Sequence, residues 1–380
     1  MGNQLRELAA VGQSIWLDNI TRSMFASGDL QKLLDVGLRG MTSNPTIFEK
    51  AIGHGNDYDA QLTTLIGSEH DAQKLFEELA IQDIRSACDA FKPVFDATNG
   101  LDGYVSLEVS PTLAHDTAGT TTAAQHLWEA VARPNVMIKI PGTPECLASI
   151  RASIAAGINI NVTLLFSVEQ YAAAATAYIE GLEDRVNAGG AIDHIASVAS
   201  VFVSRIDSNI DKQLDERIAK GESGLAELKG KAGIANLKLT YAKFEELFHG
   251  ERFGKLKAKG AKVQRPLWAS TSTKDPKYDD LMYVVTVVGA DTVNTMPPNT
   301  LDALLDHGVV HADTIHTGVA EGKAAIDALA AKGISLEAVT DQLVTEGVKS
   351  FAKSFADMLA AITGKSDQLA GKPPEKVEAS

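Results

Sequence analysis

Short apolar runs alternate with longer amphipathic stretches along this chain, and that rhythm leaves few folds open to it. Parallel strands require a crossover of a dozen or more residues, usually a helix, so a repeated strand–helix order points to a parallel sheet. Eight runs read as strands: 14–18, 40–44, 104–109, 136–141, 158–166, 195–203, 262–270 and 291–296. Helix-start chemistry follows several of them. Thr46 with Glu49, and Ser167 with Gln170, have the spacing of a capping box. Ser110-Pro111 and Thr143-Pro144 set proline at a first helical position behind a capping hydroxyl. Eight strands each leading into helical sequence predict a (β/α)₈ barrel, with an open doubly wound sheet as the alternative.

Residues 1–364 read as a single barrel domain, with additional helices inserted near 46–103 and 207–260. The second insertion contains Lys220-Gly221-Glu222-Ser223-Gly224, a turn signal between helices. Residues 335–362 predict one long terminal helix, capped by Ser335 and stopped at Gly364. The tail 365–380, rich in Pro, Lys, Glu and Ser, has the composition of a disordered segment. A net charge of −14 argues against a broad nucleic-acid-binding surface and requires that any anionic substrate be held by a few local cations. The N-terminus lacks the basic and apolar regions of a signal peptide, and Arg6 stands where a myristoylation signal needs Ser or Thr. No apolar stretch is long enough to span a bilayer. Cys88 and Cys146 have neither metal-type nor redox-type spacing, so a reducing cytoplasm is the expected location.

Within the fourth run, Val136-Met137-Ile138-Lys139-Ile140, a lysine stands among apolar and β-branched residues, and Pro141-Gly142 ends the run. Side chains alternate along a strand, so Lys139 shares a face with Met137. Burying an ammonium without a partner is costly, and one relief is conversion to the neutral amine, the nucleophile that forms a Schiff base with a carbonyl. The competing reading is a lysine snorkelling from the strand end into solvent.

The other strands share this division. Ile15 and Leu17 oppose Ser14, Trp16 and Asp18; Val105, Leu107 and Val109 oppose Tyr104, Ser106 and Glu108. Ile158, Ile160, Val162 and Leu164 oppose Asn159, Asn161 and Thr163, and Thr42 and Asn44 share a face. The polar groups gather toward the C-terminal strand ends, where a barrel of this kind holds its active site. Each residue also has a plain structural reading: Asp18 and Asn44 as turn residues, Glu108 in an ion pair, Asn161 and Thr163 in a buried hydrogen-bonded layer, and Arg205 paired with Asp207. Taken together around one lysine, they suit imine chemistry. A carbinolamine must lose water, so proton donors and acceptors are needed, and two carboxylates can divide that work. Asn44 and Asn161 offer amides to substrate hydroxyls, and Arg205 offers a forked cation to a phosphate. His307, His311 and His316 lie close in sequence but make weak metal-ligand evidence, and no metal is expected. Gly364-Lys365-Ser366 resembles the end of a P-loop, yet Leu359 replaces its first glycine.

The segments Trp16-Leu17-Asp18-Asn19, Met41-Thr42-Ser43-Asn44-Pro45-Thr46-Ile47, Ser106-Leu107-Glu108, Ile138-Lys139-Ile140-Pro141-Gly142-Thr143 and Asn159-Ile160-Asn161-Val162-Thr163-Leu164-Leu165-Phe166-Ser167 resemble those of the transaldolases. Those are class I, Schiff-base enzymes of the pentose phosphate pathway, and the resemblance runs from about Ser14 to Met296. It implies a transferase with no cofactor beyond the covalent Lys139 imine, acting on fructose 6-phosphate or sedoheptulose 7-phosphate. Asp18 is then expected to take the C4 hydroxyl proton, and Glu108 to act through a water positioned by Thr163. Asn44 and Asn161 are expected at the dihydroxyacetone end, and Thr42, Ser106 and Phe202 are expected among the substrate-binding residues. Ser200 and Arg205 are expected at the distal phosphate. The implied acceptor is glyceraldehyde 3-phosphate or erythrose 4-phosphate. Many family members carry an arginine after the seventh strand as a second phosphate ligand; here Ser270 and Lys274 occupy that region. Fructose 6-phosphate aldolase, a sister activity, resembles this chain less where Glu108 and Phe202 stand, since it has an amide and a tyrosine there. A catalytically silent sugar-phosphate-binding barrel is the reading from another class. The implied partners are sugar phosphates, with neither nucleic acid nor membrane, and a homodimer is left open.

Overall fold

The structure is a computed structural model that describes residues 3–53 and 55–371. Eight parallel strands close into a barrel in sequence order: β1 (Gln13–Asp18), β2 (Gly40–Thr42), β3 (Tyr104–Glu108), β4 (Val136–Pro141), β5 (Ile160–Leu165), β6 (Ser197–Phe202), β7 (Gln264–Ala269) and β8 (Thr292–Met296). The open-sheet alternative is excluded, because β8 pairs with β1.

Alternation along these strands divides the core in two. Outward residues such as Ile15, Leu17, Val105, Leu107, Ile138 and Ile160 pack beneath the surrounding helices. Inward residues including Trp16, Tyr104, Met137, Val198, Leu267 and Val293 fill the barrel. Trp16 needs a glycine opposite it: a Cβ on Gly40 would lie 2.5 Å from the indole. The fifth strand departs from simple alternation. Its register against β6 shifts between Val162 and Leu165, and Leu164 takes a positive φ of 59°. That bulge turns Leu164 inward to join Phe166 and Phe202, and Leu165 replaces it on the outer face. Leu164 therefore does not share a face with Val162.

At the N-terminal end the polar inward residues close the barrel floor. Arg265 pairs with Asp102 at 2.9 Å and donates to Ser14 Oγ at 2.6 Å, and Ser14 in turn donates to Asp102 at 2.8 Å. Asn159 also belongs to the floor, donating to the Pro134 and Val136 carbonyls. Ser14 and Asn159 thus lie far from the strand ends that hold the lysine.

The first insertion forms helices Pro45–Gly53, Asp59–Leu65 and Ala72–Ala97. The second forms Ser204–Ile218, Ala232–Phe248 and Glu251–Lys257, with a turn at Gly221 and Gly224, both at positive φ. Ser167 and Gln170 make the expected capping box. Thr46 does not cap its helix. Asn44 Oδ1 accepts from the Ile47 N–H at 3.0 Å instead, and Thr46 bonds Ser354 of the terminal helix at 2.8 Å. That helix starts after its Ser335 cap as expected but runs from Leu336 to Leu369, through Gly364. Residues 365–369, read as tail, are therefore helical; Lys365 also reaches Asp59 at 2.7 Å. The remaining tail residues 372–380, like Met1 and Gly2, lie outside the described residues. Among the described residues no helix is long and apolar enough to cross a membrane.

Candidate active site

Strand register sets the predicted residues side by side in two sets, Asp18 with Thr42 and Ser106, and Glu108 with Lys139 and Asn161. Glu108 is the register partner of Lys139, Lys139 of Asn161, and Asp18 of Thr42. Neighbouring strands lie roughly 4.8 Å apart, so inward side chains at one level must meet. Lys139 is only 5% exposed, which rules out the snorkelling reading. Nor is it without partners. Its Nζ lies 3.4 Å from Glu108 Oε2 and donates to the Ser43 carbonyl at 3.2 Å.

The two carboxylates differ in their surroundings. Thr42 donates to Asp18 Oδ1 at 2.7 Å, and Thr42 also bonds Thr295 of β8 at 2.7 Å. Burial raises Asp18 above the usual carboxylate range, against the lowering influence of Lys139 and Thr42. Burial also pushes Glu108 up to about 6; Lys139 pulls it down, and the Asp18 charge adds to the rise. The Lys139–Glu108 contact is an ion pair without hydrogen-bond alignment, so both Glu108 oxygens, with Thr163 Oγ1, are buried polar atoms lacking a hydrogen-bond partner. Two buried acceptors and a hydroxyl beside an amine fit a small polar reactant such as water.

One cavity of about 470 Å³ opens at this end of the barrel. Asp18, Thr42, Asn44, Lys139, Thr163, Ser200, Phe202, Arg205, Ser270 and Lys274 line it. Ser106, Glu108 and Asn161 do not. They sit behind the wall, and Asn161 is held at both ends, donating to Ser106 Oγ at 3.0 Å and accepting from Ser200 Oγ at 2.7 Å. Arg205 does not pair with Asp207, which accepts from the Gly233 N–H and the Tyr283 hydroxyl at 2.8 Å each. The Arg205 guanidinium instead lies 5.3 Å from the Phe202 ring centre. Burial holds it below the usual arginine range. Lys274 stands exposed at the rim, but its ammonium end is shielded enough that burial, and then Arg205, hold it below the ordinary lysine value.

Among the cavity residues not anticipated are Thr295 and Phe351. Thr295 follows inward Val293 by two residues at the end of β8, whereas Phe351 lies in the terminal helix, far in sequence from every strand. The Phe351 ring centre is 5.9 Å from Lys139 Nζ and 5.9 Å from the Arg205 guanidinium, so this helix roofs the site. Away from the cavity, His307 pairs with Asp280 and Asp306, and His316 with Glu245 and Asp313. Among the described residues no cluster of three or more His, Cys, Asp or Glu is arranged to hold a metal ion.

Residues 15–362 match the family model described as transaldolase/fructose-6-phosphate aldolase. A transaldolase 2 of Nostoc sp. is 47% identical over 372 residues, covering 96% of this chain and 97% of its own length. Transaldolases of Acidothermus cellulolyticus and Mycolicibacterium smegmatis are 48% and 47% identical over 364 residues, each with 96% of this chain and 97% of its own length covered.

Proposed function

The chain belongs to the transaldolase/fructose-6-phosphate aldolase family and its activity is that of a transaldolase, a transferase, and from that premise we propose that Lys139 is the nucleophile, with Asp18 and Glu108 dividing the proton transfers. The observation that carries this reading is the triad itself: a buried lysine on the cavity wall, 3.4 Å from Glu108 behind that wall and within electrostatic reach of Asp18, which lines the same cavity. The Lys139 amine adds to C2 of a ketose phosphate, fructose 6-phosphate or sedoheptulose 7-phosphate. Glu108, at about 6, can supply the proton with which the carbinolamine oxygen leaves as water, and can take one back during hydrolysis. Asp18 takes the C4 hydroxyl proton, the C3–C4 bond breaks, and the aldose phosphate departs. A three-carbon enamine remains on Lys139. It attacks the aldehyde of glyceraldehyde 3-phosphate or erythrose 4-phosphate, the protonated Asp18 returns its proton to the new C4 oxygen, and hydrolysis of the new iminium frees the amine. No cofactor enters this scheme.

The amide NH₂ of Asn44 serves the dihydroxyacetone end, since its oxygen already caps a helix. Asn161, tied to Ser106 and Ser200, stiffens the wall behind the substrate. Thr163 orients the water at Glu108. Arg205 and Lys274, with Ser270 beside them, bind the phosphate. The aldolase reading is disfavoured by Phe202, whose ring carries no hydroxyl to relay a proton to the enamine and release free dihydroxyacetone. Incubation with fructose 6-phosphate and erythrose 4-phosphate tests the choice. Transfer predicts sedoheptulose 7-phosphate and glyceraldehyde 3-phosphate, with little free dihydroxyacetone when the acceptor is omitted. Equal release of dihydroxyacetone with and without acceptor would establish an aldolase.

A further inference from the structure

The helices inserted between β6 and β7 have so far supplied only Arg205, yet they hold a second set of buried polar groups. Helix Ser204–Ile218 carries Arg205 in its first turn and buries Asp207 and Asp211. Spaced by four residues, these two carboxylates share one helix face. Each is used twice. Asp207 accepts from the Gly233 N–H and the Tyr283 hydroxyl, both at 2.8 Å. Asp211 accepts from the Gly230 N–H at 3.0 Å and the Tyr278 hydroxyl at 2.6 Å. Tyr278 and Tyr283 belong to the segment after β7, the same segment that carries Lys274. The fit is close: Gly230 has a φ of 66°, and a Cβ there would lie 2.8 Å from the Tyr278 ring.

Like charges at one rim repel, and Lys274 is held down partly by Arg205. That repulsion works against holding the loop of Lys274 beside the helix of Arg205, and contacts elsewhere in the loop must offset it. Two carboxylate–tyrosine rungs do so, because each joins the helix of Arg205 directly to the loop of Lys274. We propose that Asp207, Asp211, Tyr278 and Tyr283 are positioning residues that preset the spacing of Arg205 and Lys274, so that a phosphate meets two cations already in place. This gives the second insertion a part in selecting phosphorylated sugars, and it rests on the reading of Arg205 and Lys274 as the anion site. A preset pair avoids the ordering cost that a mobile loop would add on binding.

Tyr278→Phe is the first test, since it removes one hydroxyl and keeps the ring against Gly230. The readouts are KM for fructose 6-phosphate, KM for unphosphorylated fructose, and competitive inhibition by inorganic phosphate. Loss of one hydrogen bond to a carboxylate should raise the first KM and the phosphate inhibition constant about threefold to tenfold, leaving kcat and the fructose KM unchanged. In a Lys274→Ala background the same substitution should add nothing, because its effect passes through Lys274. An unchanged phosphate inhibition constant, or a full additive effect in that background, would overturn the proposal. Arg205→Ala in the same assay separates the two levels. If it weakens phosphate and Tyr278→Phe does not, the rungs alone are refuted; if it leaves phosphate binding intact, the anion site and the rungs fall together.

Discussion

Glu108 is buried and Asp18 half-buried, and desolvation raises both, yet only Glu108 touches the lysine. With Glu108 at about 6, lowering the pH through that value protonates it and removes the acceptor needed at the imine. kcat/KM is therefore expected to fall on the acid side with an apparent value near 6, and Glu108→Gln should abolish that limb; a pH–rate profile of both proteins checks this. The two carboxylates should also separate by step. Losing a positioned acid or base costs about 10²–10⁴-fold. In single-turnover experiments Asp18→Asn should form the imine but cleave slowly, whereas Glu108→Gln should be slow in forming it. Near wild-type rates in both variants would contradict the division. At this scale the sequence was informative about type and face, because alternation places Asp18, Glu108 and Lys139 inward. It was not informative about company. The lysine looked isolated in its own strand, and its ion pair with Glu108 arises from register across β3 and β4, which a single strand does not display.

Among the elements, the terminal helix Leu336–Leu369 has the least foreseeable role. It lays Phe351 over Lys139 and Arg205, and beside it Gly347 packs so closely that an added Cβ would sit 3.0 Å from Leu164. The three-carbon enamine must be kept from protonation by bulk water until the acceptor arrives, and the Phe351 ring, 5.9 Å from Lys139 Nζ, lies where it can supply that cover. Phe351→Ala is expected to lower stability by about 3 kcal/mol, by analogy with buried Phe→Ala changes, and to raise release of free dihydroxyacetone relative to transfer. Denaturant melts and product analysis without acceptor measure the two effects; an unaltered product ratio would show that the ring is not a water barrier. The helix was readable as a helix from its Ser335 cap and periodicity, but its contacts lie far away in sequence. Local chemistry misled in smaller ways. Asn44 took the cap assigned to Thr46, and Gly364, with nothing nearby to end the turn, stayed within the helix. The bulge at Leu164 had no glycine to announce it.

For the whole molecule, eight strands in sequence order were legible because βα repetition is a property of the entire chain, and few topologies satisfy it. The sugar-phosphate end was partly legible through charge: a chain at −14 must concentrate cations where it binds anions, and Arg205 and Lys274 share the cavity rim. Arg205→Ala is expected to weaken fructose 6-phosphate far more than fructose, by roughly 1.5–3 kcal/mol, or about one to two decades. Lys274→Ala should act in the same direction but less, because the Lys274 ammonium is a point charge on a flexible stem without the fork of a guanidinium. Steady-state kinetics with both donors measure the difference; equal losses would assign Arg205 a structural part. All of this depends on a covalent bond at one nitrogen. Incubation with fructose 6-phosphate and borohydride, followed by peptide mapping in a mass spectrometer, reads that bond directly. A reduced three-carbon or six-carbon sugar adduct is expected on Lys139 alone and none in Lys139→Ala; an adduct on another lysine, or undiminished turnover by Lys139→Ala, would place the nucleophile elsewhere.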